Sequence, residues 1–328
     1  MRPDKVTVEH FVTIFDYNFL AAGLCLYRSL RAHGGAFRLW VVCMDHLVEA
    51  RLREMALPDV ILLPVGEMET EELRRVKADR SMGEYCWTLT PFAPHFVMQR
   101  EPTVRRVTYL DADLYFFDDP RRLLDEPAAT QAHVLITEHA YSPEYDQTAY
   151  SGIYCVQFIA FRNSAEAQGV LRWWQERCVE WCYNRSENGK FGDQKYLDDW
   201  PERFPGTVHV LQQKQLALGP WNAERFLHND SLVPVFFHFH GLRVVSDKRL
   251  LLHLTYRLSA GAMRLYPSYL TEFVNVLDTA YARWGDIPGV GHSPGGKERL
   301  LRLWNTLRGT IRYAPYRIGG SVTDRALK

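Results

Sequence analysis

Residues 106–120 read RVTYLDADLYFFDDP, and this stretch decides the fold that we expect. The apolar run at residues 107–110 is typical of a buried strand, and it stops abruptly at two carboxylates, Asp111 and Asp113. In open α/β sheets, ligands bind beyond the carboxyl ends of the strands, which is where this acidic pair would lie. The stretch therefore predicts an α/β protein with a functional site at the end of this strand.

The acidic pair has the chemistry of a metal site. Strand side chains two residues apart can share one side, so both carboxylates could face one ligand. Carboxylate oxygens suit Mg²⁺ or Mn²⁺, and such a cation usually keeps positions open for substrate phosphates. Short acidic patterns also occur in solvated turns after strands, so the pattern alone leaves both interpretations open.

The segments before this stretch indicate a mainly parallel sheet flanked by helices. Residues 6–14 and 38–44 read as strands, and an apolar helical stretch at residues 19–30 lies between them. Residues 60–63 read as a third, short strand. Repeated β-then-α units predict a mixed α/β fold of the Rossmann-like kind.

A second distinctive stretch, PVFFHFHG, lies at residues 234–241. Its apolar run carries His238 and His240 out to a glycine, and strand alternation places both imidazoles on one side. Because imidazole is an acceptable Mn²⁺ ligand, one of these histidines is a candidate to complete a metal shell.

Composition excludes several classes of protein. The 328 residues are 47% hydrophobic and 24% charged, which is ordinary for a globular chain. Lys+Arg and Asp+Glu both total 39, so a zero formal charge argues against general electrostatic binding of nucleic acid. The cysteines lack a paired zinc-type spacing, so we expect reduced thiols. No segment has signal-peptide or membrane-spanning character, so we expect a cytoplasmic protein.

After about residue 250 the pattern changes to arginine-rich helices. We therefore expect a catalytic domain at residues 1–250 and a helical extension at residues 251–328, ending in a helix at 298–313. That last helix has an apolar face and several arginines. It could dock on the catalytic domain, or it could make peripheral contact with the anionic inner face of a membrane.

Taken in order, these motifs give residues 6–245 a resemblance to nucleotide-sugar-dependent glycosyltransferases of GT-A fold, especially the retaining family eight group that includes glycogenin. Asp111-Ala112-Asp113 matches the metal-binding DxD of that group, whose first carboxylate usually also reaches the ribose. His238-Phe239-His240-Gly241 matches its His-Phe-x-Gly motif. The resemblance implies a GT-A fold and a bound Mn²⁺ or Mg²⁺ held by Asp111, Asp113 and His238.

The resemblance also implies which residues contact the nucleotide. The turn Asp16-Tyr17-Asn18 is similar to the segment that holds the base in that group. The lysine that the group uses for the pyrophosphate is missing, because Val244 stands in its place. Arg243 or Lys248 could substitute for it.

Residues for the sugar follow from the same resemblance. Gly192-Asp193-Gln194 looks like the Asp-Gln motif that holds the donor sugar, so Asp193 and Gln194 are the expected catalytic residues. Where the group often carries Asn-x-Gly, this chain has Cys155-Val156-Gln157, so the sugar contacts there differ and Gln157 becomes a substrate-binding candidate. The other substrate-binding candidates are Trp221, Asn222 and His240. Trp221 would either stack on a sugar ring or pack in an interface core.

These assignments imply metal-dependent transfer of a sugar from a nucleotide diphosphate, UDP by expectation, to an acceptor hydroxyl with retention. The metal would neutralise charge on the leaving diphosphate, and Asp193 would stabilise positive charge at the anomeric carbon. If the product were inverted, Asp193 or Glu138 would be a candidate general base. The acceptor is left open among a glycan, a lipid-linked compound and a small molecule, with bacterial surface-glycan assembly as one setting.

Two other functions stay open at this point. In haloacid-dehalogenase-like phosphatases the first aspartate of such a motif is a phosphoryl nucleophile, but that motif lies near the start of the domain. Here it lies a third of the way along the chain, and Tyr115 occupies a position that in those enzymes holds a small hydroxyl-bearing residue or a valine. A non-catalytic sugar-nucleotide-binding protein is the second alternative, because Cys155 and Val244 depart from the enzyme pattern.

Overall fold

The structure is a computed structural model that describes residues 7–126, 128–227, 232–253, 255–290, 310 and 312–318. Most of the helix predicted at residues 298–313 lies outside the described residues. Its end is wrong, because Arg312 and Tyr313 begin a strand, Arg312–Pro315, that pairs with a neighbouring strand.

The strands are numbered in chain order. They are β1 Glu9–Phe15, β2 Phe37–Cys43, β3 Val60–Pro64, β4 Arg106–Leu110, β5 Leu114–Phe116, β6 Val134–Glu138, β7 Tyr154–Arg162, β8 Val208–Val210, β9 Ala217–Leu218, β10 Phe236–His238, β11 Arg243–Ser246, β12 Arg249–His253 and β13 Arg312–Pro315.

The α-helices are numbered in the same way. They are α1 Leu20–His33, α2 His46–Met55, α3 Glu71–Lys77, α4 Met82–Leu89, α5 Phe92–Arg100, α6 Arg121–Leu124, α7 Thr148–Ser151, α8 Ala165–Glu180, α9 Trp200–Arg203, α10 Ala223–Phe226, α11 Ala260–Met263 and α12 Tyr266–Trp284.

A seven-stranded sheet in the order β3-β2-β1-β4-β7-β6-β8 forms the centre of the molecule. Its first four strands are parallel, whereas β7 is antiparallel to both β4 and β6, and β8 is parallel to β6. Helices flank this sheet on both faces. The predicted fold class, a mixed and mainly parallel α/β sheet flanked by helices, is therefore confirmed.

Alternating residues of the central strands fill two separate cores. Phe11 and Leu39 belong to one core with residues of α1 and α12, whereas Val12 and Trp40 belong to the other with residues of α4, α5 and α8. Successive strand side chains point to opposite faces, so a sheet covered on both sides needs apolar residues at nearly every position. All seven residues of β1 are accordingly buried.

Two smaller sheets complete the described part of the chain. β10 lies between β5 and β9, and β12 lies between β11 and β13. The predicted domain boundary at residue 250 falls inside β12, whose neighbours come from both sides of that boundary. The extension therefore contributes a strand as well as the helices α11 and α12.

The helix α12 packs on α1 and α2. Its residue Glu272 forms an ion pair with Arg28 of α1, and Arg283 forms one with Glu54 of α2 at 2.6 Å. Within the ranges described, no helix has the length and apolar character needed to cross a membrane. All six cysteines are unpaired, and every one except Cys86 is buried.

Candidate active site

The acidic pair lies at the carboxyl end of β4, where the sequence places it. The Asp111 N–H donates to the Gln157 carbonyl at 3.0 Å, and the Leu114 N–H donates to the Asp111 carbonyl at 3.3 Å. These bonds fold the chain into a tight turn before β5. The side chain of Asp113 is almost buried, whereas that of Asp111 is 24% exposed.

The strand β10 brings His238 to this turn. It pairs antiparallel with β5 so that His238 lies opposite Leu114, and the Phe239 N–H donates to the Asp113 carbonyl at 2.9 Å. The His238 Nε2 atom is 2.9 Å from Asp113 Oδ1 and 3.9 Å from Asp111 Oδ2. The structure thus brings together the three residues that the sequence suggested as metal ligands.

His240 also belongs to this group. Potential ligand atoms of Asp113, His238 and His240 all lie within 4.8 Å of one another. Asp113 and His238 are buried at the base of the group, and His240 is exposed. A carboxylate and two imidazoles around one point are a donor set that fits a divalent cation.

The charges at this group depend on one another. Burial raises the pKa of Asp111 to about 6, against the opposing charge of His238. Burial alone would also raise the pKa of Asp113, but the charge and hydrogen bond of His238 hold it well below its usual value. The pKa of His238 is raised in turn, because the two carboxylates outweigh its burial. A proton is therefore held between His238 and Asp113, where a cation could replace it.

Gln157 lies behind His238 on β7 and is fully buried. Its Oε1 atom is 2.9 Å from His238 Nδ1. When the Nδ1–H of His238 donates to this acceptor, Nε2 is the ring nitrogen left for a cation once the cation has displaced the proton shared with Asp113. Gln157, which the sequence suggested as a substrate-binding residue, therefore lies against His238, a candidate metal ligand.

Trp221 is 3% exposed, so little of its ring is available for stacking on a sugar. Its ring meets His238 edge-on at 5.2 Å between centroids and His240 at 5.9 Å. A Cβ atom on Gly219 would lie 2.7 Å from the indole, so glycine allows the ring to occupy this place. The packing interpretation of Trp221 fits the structure better than the stacking one.

Asn222 is fully buried, and its hydrogen bonds are made inside the protein. Its Oδ1 accepts from the Gly219 N–H at 2.9 Å, and its Nδ2 donates to the carbonyls of His139 at 2.9 Å and Ala217 at 3.4 Å. These three bonds hold the loop that carries Trp221, so the Asn222 amide is used within the protein.

Asp193 is a buried carboxylate with an unsatisfied oxygen. It is 2% exposed, and its Oδ2 has no hydrogen-bond partner. Burial raises its pKa to about 7; a Thr90 hydrogen bond opposes the rise, and the charge of Asp111 adds to it. Its backbone carbonyl accepts from Trp174 Nε1 at 2.9 Å. Unsatisfied buried carboxylates with a raised pKa are typical of functional sites.

The residues after Asp193 join this segment to α7. Gln194 Nε2 donates to the Ser151 carbonyl, and Lys195 Nζ donates to the Thr148 carbonyl, at 2.9 and 2.8 Å. The Gln194 amide nitrogen is thus used within the protein. The two bonds fix the position of the Asp-Gln segment relative to the start of β7.

The turn Asp16-Tyr17-Asn18 follows β1, which is the sheet neighbour of β4, so it lies at the same edge as the acidic pair. The Asp16 carboxylate accepts from the Phe19 N–H at 3.3 Å and from Asn18 Nδ2 at 2.8 Å. The Tyr17 hydroxyl donates to Asp286 Oδ2 at 2.7 Å. Asp286 was missed from the sequence, because 269 residues separate it from Tyr17.

Arg243 is near both this turn and Asp113. Its guanidinium is 4.9 Å from the ring centre of Phe19, and its charge also helps to lower the pKa of Asp113. The neighbouring Val244 is buried, and Lys248 is exposed in the turn between β11 and β12. Of the two suggested substitutes for the missing lysine, Arg243 is the one whose charge acts on the acidic pair.

Two other residues at the end of β6 bear on the site. His139, which the sequence did not single out, stacks on Tyr141 at 4.7 Å and meets Trp221 edge-on at 5.5 Å. Burial lowers the pKa of His139 to about 3, so this imidazole is neutral. Glu138, the candidate general base for an inverting reaction, is 2.6 Å from Lys214 Nζ.

Comparison with known proteins gives two relatives over most of the chain. The chain is 30% identical over 293 residues to the uncharacterized protein YfnD of Bacillus subtilis strain 168, and this alignment covers 84% of this chain and 92% of YfnD. It is also 30% identical over 252 residues to the uncharacterized protein YfnF of the same strain, over 72% of this chain and 82% of YfnF. No protein-family model matches the sequence.

Among solved structures, the apo-form glycosyltransferase GlyE of Streptococcus pneumoniae TIGR4 is similar with a TM-score of 0.50 and 14% identity, over 86% of this chain and 65% of GlyE. The bifunctional glycosyltransferase WbbM matches with a TM-score of 0.47 and 16% identity, over 74% of this chain, which spans 47% of WbbM. At such low identity the likeness to GlyE shows the fold. The chain therefore belongs to the same family as YfnD and YfnF, and it has the GT-A fold.

Proposed function

We propose that this protein is a metal-dependent glycosyltransferase that moves a sugar from a nucleotide diphosphate to an acceptor hydroxyl. The observation that carries the proposal is the contact of His238 Nε2 with Asp113 Oδ1 at 2.9 Å, beside Asp111 and at the carboxyl end of β4. These residues come from motifs far apart in sequence, yet they converge on one point. On a GT-A fold, that point lies where a sheet of this kind binds its ligand.

The proposed metal is Mn²⁺ or Mg²⁺, held by Asp111, Asp113 and His238. When bound, it supplies positive charge next to the leaving diphosphate. Arg243 adds a fixed positive charge on the same side, in the place that Val244 leaves without a lysine. The turn Asp16-Tyr17-Asn18, at the neighbouring strand end, would hold the base, with UDP as the proposed nucleotide.

Asp193 and Gln194 are the proposed catalytic residues at the donor sugar. In its ionised form the Asp193 carboxylate would stabilise positive charge at the anomeric carbon, and its burial strengthens that interaction by excluding water. Retention of the anomeric configuration is the proposed outcome, because the motif order resembles that of a retaining family. The ion pair of Glu138 with Lys214 also occupies one of the two candidate bases for inversion, Glu138 and Asp193. The acceptor proton would then pass to the leaving phosphate.

The remaining parts of the proposal concern the family and the cell. The motif order supports family eight, and the acceptor is proposed to be a glycan, a lipid-linked compound or a small molecule in bacterial surface-glycan assembly. The packing of α12 on α1 and α2 supports a catalytic domain with a docked extension. A cytoplasmic location, with peripheral contact at the inner membrane face, completes the proposal.

Thermal unfolding with nucleotide sugars tests the proposed function. A ligand that binds the folded state raises the melting temperature, so UDP, GDP, CDP and dTDP sugars are compared with and without Mn²⁺. We expect Mn²⁺-dependent stabilisation by one nucleotide class, its loss in Asp113→Ala, and its retention in Asp125→Ala, whose side chain is 59% exposed. If none of the nucleotide sugars stabilises the wild-type chain, the proposal is refuted.

Turnover separates the proposal from its two alternatives. Slow hydrolysis of the stabilising nucleotide sugar, lost in Asp193→Asn, is expected of a glycosyltransferase without its acceptor. Binding without any hydrolysis or transfer would instead indicate a non-catalytic sugar-nucleotide-binding protein. Release of phosphate from phosphomonoesters, without binding of nucleotide sugars, would indicate a phosphatase.

A further inference from the structure

We propose that His240 is a second imidazole ligand of the metal, beside His238 and Asp113, and that the site therefore prefers Mn²⁺ to Mg²⁺. This inference rests on the proposed metal-dependent function. It changes the role of His240, which the sequence suggested as a substrate-binding residue. It also chooses between the two cations that the DxD motif leaves open.

The distances put the three donor groups within reach of one cation. Their potential ligand atoms all lie within 4.8 Å of one another, and His238 Nε2 is 2.9 Å from Asp113 Oδ1. Ligands at about 2.0 to 2.2 Å from a transition metal are separated by at most about 4.4 Å. Movements of a few tenths of an ångström would therefore complete the coordination.

The backbone directs both histidines to the same side. Phe239, which lies between them, points into the core and stacks on Tyr269 of α12 at 3.8 Å with an angle of 7°. Its N–H is bonded to the Asp113 carbonyl at 2.9 Å, so the chain cannot rotate at this residue without breaking both contacts. The side chains of His238 and His240 accordingly project together toward the acidic pair.

The surroundings hold the two rings in different ways. Trp221 contacts the ring of His238 at 5.2 Å and that of His240 at 5.9 Å between centroids, and the two imidazoles are perpendicular to each other. Gln157 accepts the Nδ1 proton of His238 at 2.9 Å, which leaves Nε2 free to coordinate. His240 is exposed, so coordination positions on its side stay open for phosphate oxygens.

The donor set decides the preference between cations. Mg²⁺ demands oxygen ligands and gives up its water reluctantly, whereas imidazole suits Mn²⁺ and the later transition metals better. A site with one imidazole and two carboxylates serves either cation. With two of its ligands from His238 and His240, this site loses affinity for Mg²⁺ relative to Mn²⁺.

Pulsed electron paramagnetic resonance of Mn²⁺ bound to the full chain tests the inference without any assay of activity. Nitrogen couplings count the histidines on the metal, and we expect two in the wild type and one in His240→Phe. Loss of a ligand should also weaken Mn²⁺ binding by about tenfold or more, since changes to residues that only hydrogen-bond a ligand already cost that much. Mg²⁺ affinity, measured by competition, should change by less than about twofold.

His33→Phe is the matched control, because His33 is exposed at the end of α1. It should leave the nitrogen count and both affinities unchanged. Melting temperatures of the metal-free variants report whether they fold. If His240→Phe is unfolded, His240→Gln is measured in its place, with the same expected loss of one nitrogen.

One nitrogen in the wild type, or an unchanged Mn²⁺ affinity in His240→Phe, would overturn the inference. In that case Mn²⁺-dependent stabilisation by nucleotide sugars would still support the proposed function, and His240 would be left as a substrate contact. If the wild type bound no Mn²⁺ even with UDP present, both the inference and the metal-dependent function would fail.

Discussion

Replacing Gln157 by leucine tests the link between β7 and the proposed metal site. The change keeps a buried side chain of similar size, but it removes the acceptor that lies 2.9 Å from His238 Nδ1. The imidazole then has no partner that selects the tautomer with a free Nε2. We therefore expect weaker metal binding, although Gln157 itself does not touch the metal.

The size of the effect follows from the contacts. The His238 Nδ1–H loses its partner, which costs about 1 to 3 kcal/mol of unfolding free energy. The same substitution removes Gln157 Nε2, a buried donor without a partner, so a gain of similar size offsets this cost. We expect a net change in stability of about 1 kcal/mol or less, whereas Mn²⁺ affinity should fall by about 10- to 100-fold.

Two measurements on the same protein check this expectation. Urea unfolding of the metal-free chain gives the change in stability. Titration with Mn²⁺ gives the affinity, because the electron paramagnetic resonance signal of the free ion reports how much Mn²⁺ is unbound. Gln157→Glu keeps an acceptor at the same place and should bind Mn²⁺ nearly as well as the wild type. A Gln157→Leu variant with normal Mn²⁺ affinity, or one that loses only stability, would refute the reasoning.

Three other predictions follow from the buried polar contacts. Burial raises the pKa of Asp193 to about 7, so the folded state binds its proton more tightly than the unfolded chain does. The free energy of unfolding should therefore fall as the pH rises from about 4 to about 7. Asp193→Asn should reduce that fall in urea unfolding across this range. Asn222→Ala removes the partner of the Gly219 N–H and of the His139 carbonyl, besides the longer bond to Ala217, and at about 1 to 3 kcal/mol for each of the first two groups it should cost about 2 to 6 kcal/mol in the same assay. Tyr17→Phe and Asp286→Asn should show a coupling of about 1 kcal/mol in a double-mutant cycle, and additive effects would contradict the bond between them.

Local sequence patterns predicted the strands correctly where one short apolar run is sufficient to indicate a strand. The apolar run before Asp111 is strand β4, and the residues predicted as the first two strands overlap β1 and β2. Such runs are short-range features, because side-chain direction alternates along a strand wherever the strand lies. The prediction of a helix at residues 298–313 was wrong at its end, where Tyr313 of β13 pairs with Leu251 of β12.

Aromatic and polar side chains that the sequence predicts as substrate contacts take different positions at the site. Trp221 and Asn222 lie in a segment whose aromatic and amide groups would suit a sugar, yet both are buried and bonded or packed within the protein. His240 and Gln157, also predicted as substrate contacts, lie beside His238: His240 is grouped with Asp113 and His238, and Gln157 is 2.9 Å from His238 Nδ1. Sequence spacing does not reveal which face of a loop is turned inward.

The sequence by itself determined the fold class and the identity of the principal acidic and histidine motifs, because both follow from short runs of residues. Only the tertiary structure decided which of those side chains meet. Strand β10 pairs with β5 to bring His238 to Asp113, and the extension brings Asp286 to Tyr17. These contacts join residues far apart in the chain, and they depend on strand register and helix packing, which no local pattern specifies.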